Sequence, residues 1–168
     1  MANQQLTYVD YLESKKVVDD RSLNHRVFEQ FRRALCSIQR KQPVRILEIG
    51  AGTGTMLERL LERAVLRNAQ YTAVDLNPEF LSHIPPRMEK LTTRIGWERA
   101  PAHTDAHTTR LTIRSESHQV EIELIPEDIF EFIAQSQQQN RWDIVLAHAV
   151  LDIFPLRRAL QQILTVLR

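Results

Sequence analysis

The 168-residue chain has little cysteine, little glycine and almost no net charge. Its single cysteine, Cys36, excludes an internal disulfide and fits a reducing, cytoplasmic setting. A formal net charge of +1 gives no electrostatic reason to expect a nucleic-acid or membrane partner. The apolar runs are only strand-sized, which argues against a transmembrane helix, and residues 1–16 do not resemble a signal peptide. We therefore expect a cytoplasmic globular protein.

Apolar residues follow strand-like and helix-like spacing in turn along the chain. Residues 1–20 are polar and could form a loose arm or a short helix, whereas a helical pattern begins at Ser22, whose hydroxyl is expected to cap that helix. Residues 98–107 lack periodicity and are expected to form a surface loop. Strands are predicted at 44–49, 70–74, 108–114, 119–125 and 142–150. Further helices are predicted at 55–67, from Asn77 with a break or bend at Pro85-Pro86, from Ile129 and from Pro155.

This order of elements predicts an α/β fold. Strands that alternate with helices favour a mostly parallel sheet with helices on both faces, which makes a three-layer sandwich. The segments 108–114 and 119–125 are joined by a short polar link and predict an antiparallel hairpin arm added to that sheet.

Three of the four glycines, Gly50, Gly52 and Gly54, lie within five positions where a predicted strand passes into a predicted helix. Glycines there allow a sharp turn and let a ligand approach the backbone, and the helix N-terminus offers N–H groups to an anion. Asp75 ends the next strand, 25 positions after Gly50, where it could accept hydrogen bonds from ribose hydroxyls or cap the following helix.

A glycine turn followed by a distant acid fits two ligands, a dinucleotide or S-adenosylmethionine. The dinucleotide pattern G-x-G-x-x-G would place its third glycine at Thr55, whereas this chain has E-x-G-x-G-x-G over 48–54. At this point the chain resembles the class I S-adenosylmethionine-dependent methyltransferases, whose first motif is an acid followed by G-x-G-x-G. The segments 71–78, 125–129 and 142–151 resemble the second, third and fourth motifs of that family, so that the resemblance covers about 43–168.

The resemblance implies a Rossmann-like core over 43–168 that binds S-adenosylmethionine. Residues 1–42, with Tyr8, Tyr11 and Phe28, would then be an arm and helix that cap a small-molecule acceptor. The implied cofactor-binding residues are Glu48, Gly50, Ala51, Gly52, Gly54, Asp75, Leu76, Asp128, Ile129 and Ala147. No metal site is expected, although His103-Thr104-Asp105-Ala106-His107 contains residue types that bind zinc.

Several of these residues have simpler interpretations. Glu48 could be a solvated acid at a strand end, and Asp128 could cap the following helix. Asp143 is expected to hydrogen-bond backbone groups. His148 is the one candidate for a general base, but a histidine in an apolar strand is more often satisfied by a backbone partner.

The resemblance also implies that three further strands should follow Arg168. Without them the strand at 144–150 becomes an exposed edge, which is an association hazard. The chain could be a domain of a longer protein, could pair that edge with a second copy, or could be a short natural form. Three functions remain open: a methyltransferase, a non-catalytic cofactor-binding or interaction module with an incomplete methyltransferase fold, and a nucleotide-dependent oxidoreductase, against which the glycine spacing counts.

Overall fold

The computed structural model describes residues 8–39, 42–105, 107–136 and 142–168. Its strands are β1 Val44–Ile49, β2 Asn68–Asp75, β3 Glu98–Arg99, β4 His103–Asp105, β5 Thr108–Arg114, β6 Gln119–Pro126 and β7 Ile144–Leu146. Its α-helices are α1 Tyr8–Ser22, α2 His25–Gln39, α3 Thr55–Glu62, α4 Pro78–Ser82, α5 Ile84–Ile95, α6 Ile129–Ser136 and α7 Leu156–Leu164. A 3-10 turn over Leu151–Ile153 precedes α7.

The sheet has the order β3-β5-β6-β2-β1-β7, with β4 also paired to β5. Strands β6, β2, β1 and β7 run parallel to one another, and β5 is antiparallel to β6. Both β3 and β4 lie antiparallel along the outer edge of β5. The predicted parallel sheet with an added hairpin arm is therefore confirmed, and the Rossmann-like topology is present in its four parallel strands.

Alternate residues of the strands supply two separate cores, as expected for a sheet buried on both faces. Ile46 and Tyr71 face one layer, which contains the buried residues of α2, α3, α4 and α5. Leu47 and Val74 face the other layer, which contains those of α6 and α7. The three-layer sandwich is thereby confirmed around β1 and β2.

The N-terminal segment differs in detail from the prediction. Of the two predicted alternatives, helix is found over Tyr8–Ser22, and residues 1–7 lie outside the described part of the chain. Ser22 does not cap the next helix, because its hydroxyl donates to the carbonyl of Val18 at 2.7 Å within α1. Asn24 is the cap of α2 instead, and its side-chain oxygen accepts from the backbone N–H of Arg26 at 3.0 Å.

Three other boundaries also depart from the prediction. The expected loop at 98–107 contains β3 and β4, since their backbones pair with β5. The helix predicted to reach residue 67 ends at Glu62, and Ala64 turns the chain with a φ of 52°. Pro85 and Pro86 lie in the first turn of a new helix, α5, so that the predicted break falls just before them.

The strand predicted over 142–150 is only three residues long. It ends at Leu146, and Ala149 adopts a left-handed φ of 55° before the chain enters the 3-10 turn. Strand β7 pairs with β1 on one side, and near its start Leu167 forms a parallel bridge with Trp142 on the other side. None of the described helices has the length and apolarity needed to cross a bilayer.

Candidate functional site

The turn after β1 is fastened to the neighbouring strand by the backbone. The N–H groups of Gly50 and Ala51 both donate to the carbonyl of Val74, at 2.9 and 3.1 Å. Gly54 then occupies the N-cap position of α3 with a φ of 79°. All three glycines of this turn have positive φ, a conformation that L-residues adopt only at a cost of about 1–2 kcal/mol.

The three glycines are needed for different reasons. A Cβ on Gly50 would lie 2.5 Å from Cγ2 of Val150, and a Cβ on Gly54 would lie 2.8 Å from Cγ1 of Ile84. These two glycines therefore let the turn pack against the segment after β7 and against α5. A Cβ on Gly52 would have no described atom within 4 Å, so that no protein neighbour accounts for a glycine there. The open space at Gly52 is where a ligand can approach the backbone.

Asp75 joins the glycine turn to the end of β2. One carboxylate oxygen accepts from the N–H of Gly52 at 2.8 Å, and the other accepts from the N–H of Asn77 at 2.9 Å. The side chain of Asn77 itself caps α4, through the N–H of Glu79 at 2.9 Å. Asp75 is therefore not the helix cap. A carboxylate has about four acceptor positions, and the half-exposed Asp75 retains acceptor capacity for hydroxyl groups.

Glu48, one residue before the end of β1, is buried with 3% exposure, and the interpretation as a solvated acid is wrong. The phenol of Tyr71 donates to its carboxyl at 2.7 Å. Burial raises the pKa of Glu48 to about 8, and this effect exceeds the opposing effect of the Tyr71 hydrogen bond. At neutral pH this carboxyl therefore carries a proton behind the glycine turn.

Helix α1 reaches this region through ion pairs. Lys16 contacts Glu58 of α3 at 2.7 Å, and Asp20 contacts Arg59 at 2.5 Å. Burial alone would raise the pKa of Glu58, but hydrogen bonds from Lys16 and Arg87 hold it below its usual value. We refer to Lys16, Asp20, Glu58, Arg59 and Arg87 as the charged latch.

The charged latch continues into the glycine turn. Arg87 of α5 contacts Glu58 at 2.6 Å and donates to the carbonyl of Thr53, between Gly52 and Gly54, at 2.8 Å. Arg59 is 2% exposed, and its Nη2 has no hydrogen-bond partner among the described residues. A buried guanidinium nitrogen without an acceptor is costly, and an anionic ligand group would satisfy it. Sequence reasoning missed these residues because each pair joins separate elements.

A family model described as a methyltransferase domain matches residues 47–168. The chain belongs to the methyltransferase-domain family. The predicted resemblance to the class I S-adenosylmethionine-dependent methyltransferases is thereby confirmed. No curated protein gives a significant match.

Among solved structures, the methyltransferase-domain chain is similar to magnesium protoporphyrin IX methyltransferase from Synechocystis PCC 6803, which was determined with S-adenosylmethionine bound. The TM-score is 0.50 with 14% sequence identity, and this likeness concerns the fold. The match covers 98% of this chain and 60% of that one, so that the chain spans less than two thirds of that protein's length.

The segment 125–129, which the sequence predicts to be the third motif, leads into the start of α6. Asp128 caps that helix, since its side chain accepts from the N–H groups of Phe130 at 2.8 Å and Glu131 at 3.2 Å. Ile129 is buried with 7% exposure in the core beneath α6. Leu76, directly after Asp75, is 71% exposed and leaves an apolar side chain at the carboxyl end of the sheet.

The segment 142–151, which the sequence predicts to be the fourth motif, places Ala147 and His148 at the same end of the sheet, after β7. Both follow β7 and are half-buried, and Val150 just beyond them packs on Gly50. Asp143 makes the expected backbone contact, because it accepts from the N–H of Arg45 at 2.8 Å. No group of three potential metal ligands lies together in the part of the chain that the structure describes.

Proposed function

We propose that this chain binds S-adenosylmethionine at the glycine turn and transfers its methyl group to a small-molecule acceptor. The observation that carries the proposal is the arrangement of Gly52 and Asp75. A Cβ on Gly52 would have no described atom within 4 Å, and the N–H of Gly52 donates to the acid that ends β2. This is the juxtaposition that a ribose-containing ligand requires at the switch point of a parallel sheet.

Different described residues would contact different parts of the proposed cofactor. Asp75 would accept from the ribose hydroxyls, and the exposed Leu76 would cover one face of the adenine ring. Nη2 of Arg59, which has no partner among the described residues, would donate to the carboxylate of the methionine part. Helix α1 would cover that part of the cofactor as a lid. Gly50, Ala51, Gly54 and Glu48 would shape the turn from behind, and Asp128, Ile129 and Ala147 would border the ring and the sulfonium end.

The bound cofactor would supply a methyl group on a sulfonium, which is a good leaving group. The protein's task is then to align the donor with the acceptor and to exclude water. We assign His148 as the base for an acceptor that must lose a proton, since it lies at the end of β7 beside the turn. A small-molecule acceptor agrees with the small net charge, and the solved structure named above is also a small-molecule methyltransferase by its name.

Calorimetric titration of S-adenosylhomocysteine into the full chain, with NAD in parallel, tests the cofactor. We expect micromolar binding of the first ligand and none of NAD. Asp75→Ala should weaken binding at least 100-fold, and Glu116→Ala on the exposed hairpin turn should leave it unchanged. A folded chain that binds neither ligand, or that prefers NAD, contradicts the proposal.

Two glycine variants distinguish the loss of space for the ligand from the effect of backbone strain. Gly52 and Gly96 both have positive φ and open space at the Cβ position, but only Gly52 lies in the glycine turn. Gly52→Ala and Gly96→Ala should each cost about 1 kcal/mol of stability. Only Gly52→Ala should weaken binding of S-adenosylhomocysteine, by at least tenfold, and an equal loss in both variants would contradict the assigned position of the ligand.

A non-catalytic cofactor-binding module is the second candidate function, and the short β7 favours it, because three residues leave little wall for an acceptor pocket. Labelled S-adenosylmethionine incubated with small-molecule extract distinguishes the two. Label transferred by the native chain and not by Asp75→Ala supports the enzyme, whereas cofactor binding without transfer supports the module. Pairing of the β7 edge with a second copy is a separate prediction, and sedimentation equilibrium measures it.

A further inference from the structure

A second concave site lies at the opposite end of the sheet from the glycine turn. A cavity of about 760 Å³ opens between the second half of α2, the start of β2 and the turn from β5 to β6. The lining residues that matter here are Arg32, Arg33, Cys36, Arg67, Asn68 and His118. None of the described residues that line this cavity is acidic. We refer to it as the basic pocket.

The positive charge of the basic pocket is only partly compensated. Arg32 pairs with Glu29 at 2.9 Å. Arg33 and Arg67 have no ion pair within the described residues, although the whole chain has a formal charge of only +1. Burial lowers the pKa of His118, and the positive charge of Arg67 lowers it further. Glu29 therefore offsets part of this positive charge, and Arg33 and Arg67 are left without an ion-pair partner among the described residues.

The frame around these charges is held in place. The side-chain oxygen of Gln39 accepts from the N–H of Arg67 at 2.6 Å, and its nitrogen donates to the carbonyl of Val65 at 3.0 Å. These bonds fasten the end of α2 to the start of β2. The ring of His118 stacks on Trp97 with centroids 5.3 Å apart. The backbone positions of the pocket are therefore set before any ligand arrives.

The basic pocket is separate from the proposed cofactor site. Strand β2 has eight residues, with Asn68 in the pocket and Asp75 at the glycine turn. At about 3.3 Å per residue the two ends of the strand are roughly 23 Å apart. A ligand in the basic pocket would not touch the glycine turn.

We propose that the basic pocket binds a small phosphate-bearing anion. Guanidinium groups match phosphate oxygens in charge and fork geometry, and Arg33 and Arg67 lack other partners among the described residues. Ser37, Ser117 and Asn68 line the same cavity and offer neutral donors. The site is a half-open concavity bordered by three segments, and this favours a compact phosphate over an extended polynucleotide backbone.

The chain contains its own reporter for this pocket. Cys36 is the only cysteine, is a free thiol and lines the cavity. Uncharged iodoacetamide therefore labels a single position in the full chain. At matched ionic strength, we expect inorganic phosphate or glycerol phosphate to slow this labelling at least threefold relative to chloride. Protection by glycerol phosphate at lower concentration than by phosphate identifies an organic monoester as the source, and the reverse order identifies the free ion.

Variants distinguish binding of phosphate in the basic pocket from a general effect of salt on the labelling rate. Arg33→Gln with Arg67→Gln should abolish the protection, whereas Arg157→Gln on the exposed side of α7 should keep it. Phosphate should also raise the pKa of His118 in NMR titrations of the native chain. Equal labelling rates in phosphate and chloride, or protection by single-stranded RNA alone, would overturn the proposal. Binding of S-adenosylhomocysteine is measured independently, so that failure here leaves the proposed function intact.

Discussion

The charged residues at the two ends of strand β2 differ in whether the protein supplies them with partners. At the carboxyl end the charge of Asp75 is met by two backbone N–H groups, at 2.8 and 2.9 Å, and the adjoining turn packs closely. At the amino end Arg67 has no ion pair among the described residues, and its charge adds to the effect of burial in lowering the pKa of His118. The charge of Asp75 is therefore met in part by backbone donors, whereas the charge of Arg67 is met by no described carboxylate.

This contrast separates two kinds of site. The carboxyl end depends on backbone conformation, because its glycines form a turn that other residues could adopt only with strain or steric collision. Damage there should reduce stability and cofactor binding together. The amino end depends on unpaired charge, and its backbone is already held by the hydrogen bonds of Gln39. Changes there should alter anion binding and hardly affect stability.

Gly50→Ala is expected to give the largest effect. Its methyl group would lie 2.5 Å from Cγ2 of Val150 at a φ of +65°, so that collision adds to backbone strain. We expect a loss of about 3 kcal/mol or more in the free energy of unfolding, measured by urea denaturation. The control Gly52→Ala has no neighbour to displace and should lose about 1 kcal/mol. Equal losses would show that the packing of Val150 does not matter.

Glu48→Gln should change how stability depends on pH. The folded carboxyl keeps its proton up to a pKa of about 8, whereas the unfolded carboxyl releases it near 4.5. Between these values unfolding releases a proton, so that raising the pH favours the unfolded state. The contribution of Glu48 is complete below pH 4.5 and is lost as the pH rises towards 8, by at most about 1.4 kcal/mol per unit.

Urea denaturation at several pH values from 5 to 8 measures this effect. The stability of the native chain should fall with pH relative to Glu48→Gln, which cannot ionise and keeps an acceptor for Tyr71. Glu116→Gln, on the exposed hairpin turn, should follow the native curve. If the native chain and Glu48→Gln give parallel curves, Glu48 is ionised in the folded protein.

The carboxyl end could be predicted because its information is local in the sequence. The glycines and Glu48 lie within seven consecutive positions, and Asp75 ends the next strand. Family membership then follows from the same residues. Local patterns do not predict the burial of Glu48 against Tyr71, because an acid at a strand end is usually solvated. Only the parallel pairing of β1 and β2 brings the phenol to the carboxyl.

The amino end and the charged latch could not be predicted because their residues are far apart in the chain. Lys16 and Glu58 are separated by 42 positions, and Arg87 and Glu58 by 29. Arg33, Arg67 and His118 come from a helix, a strand start and a turn, none of which has a distinctive local pattern. The early end of β7 could not be predicted for a related reason, since Ala149 has a left-handed φ of 55° and Val150 packs on Gly50, which is distant in the chain.

Arg67→Gln at the amino end is expected to give the smallest effect on stability. It removes an unpaired charge that opposes protonation of His118, and the bonds of Gln39 to the backbone remain. The free energy of unfolding should therefore change by no more than about 0.5 kcal/mol, towards greater stability. In the same variant NMR titration should show a higher pKa for His118, though burial still keeps it below the usual value. Arg32→Gln is the matched control, because it loses the pair with Glu29 and should not stabilise the fold. A marked loss of stability in Arg67→Gln would mean that this arginine supports the fold, and the contrast between the two ends of β2 would then fail.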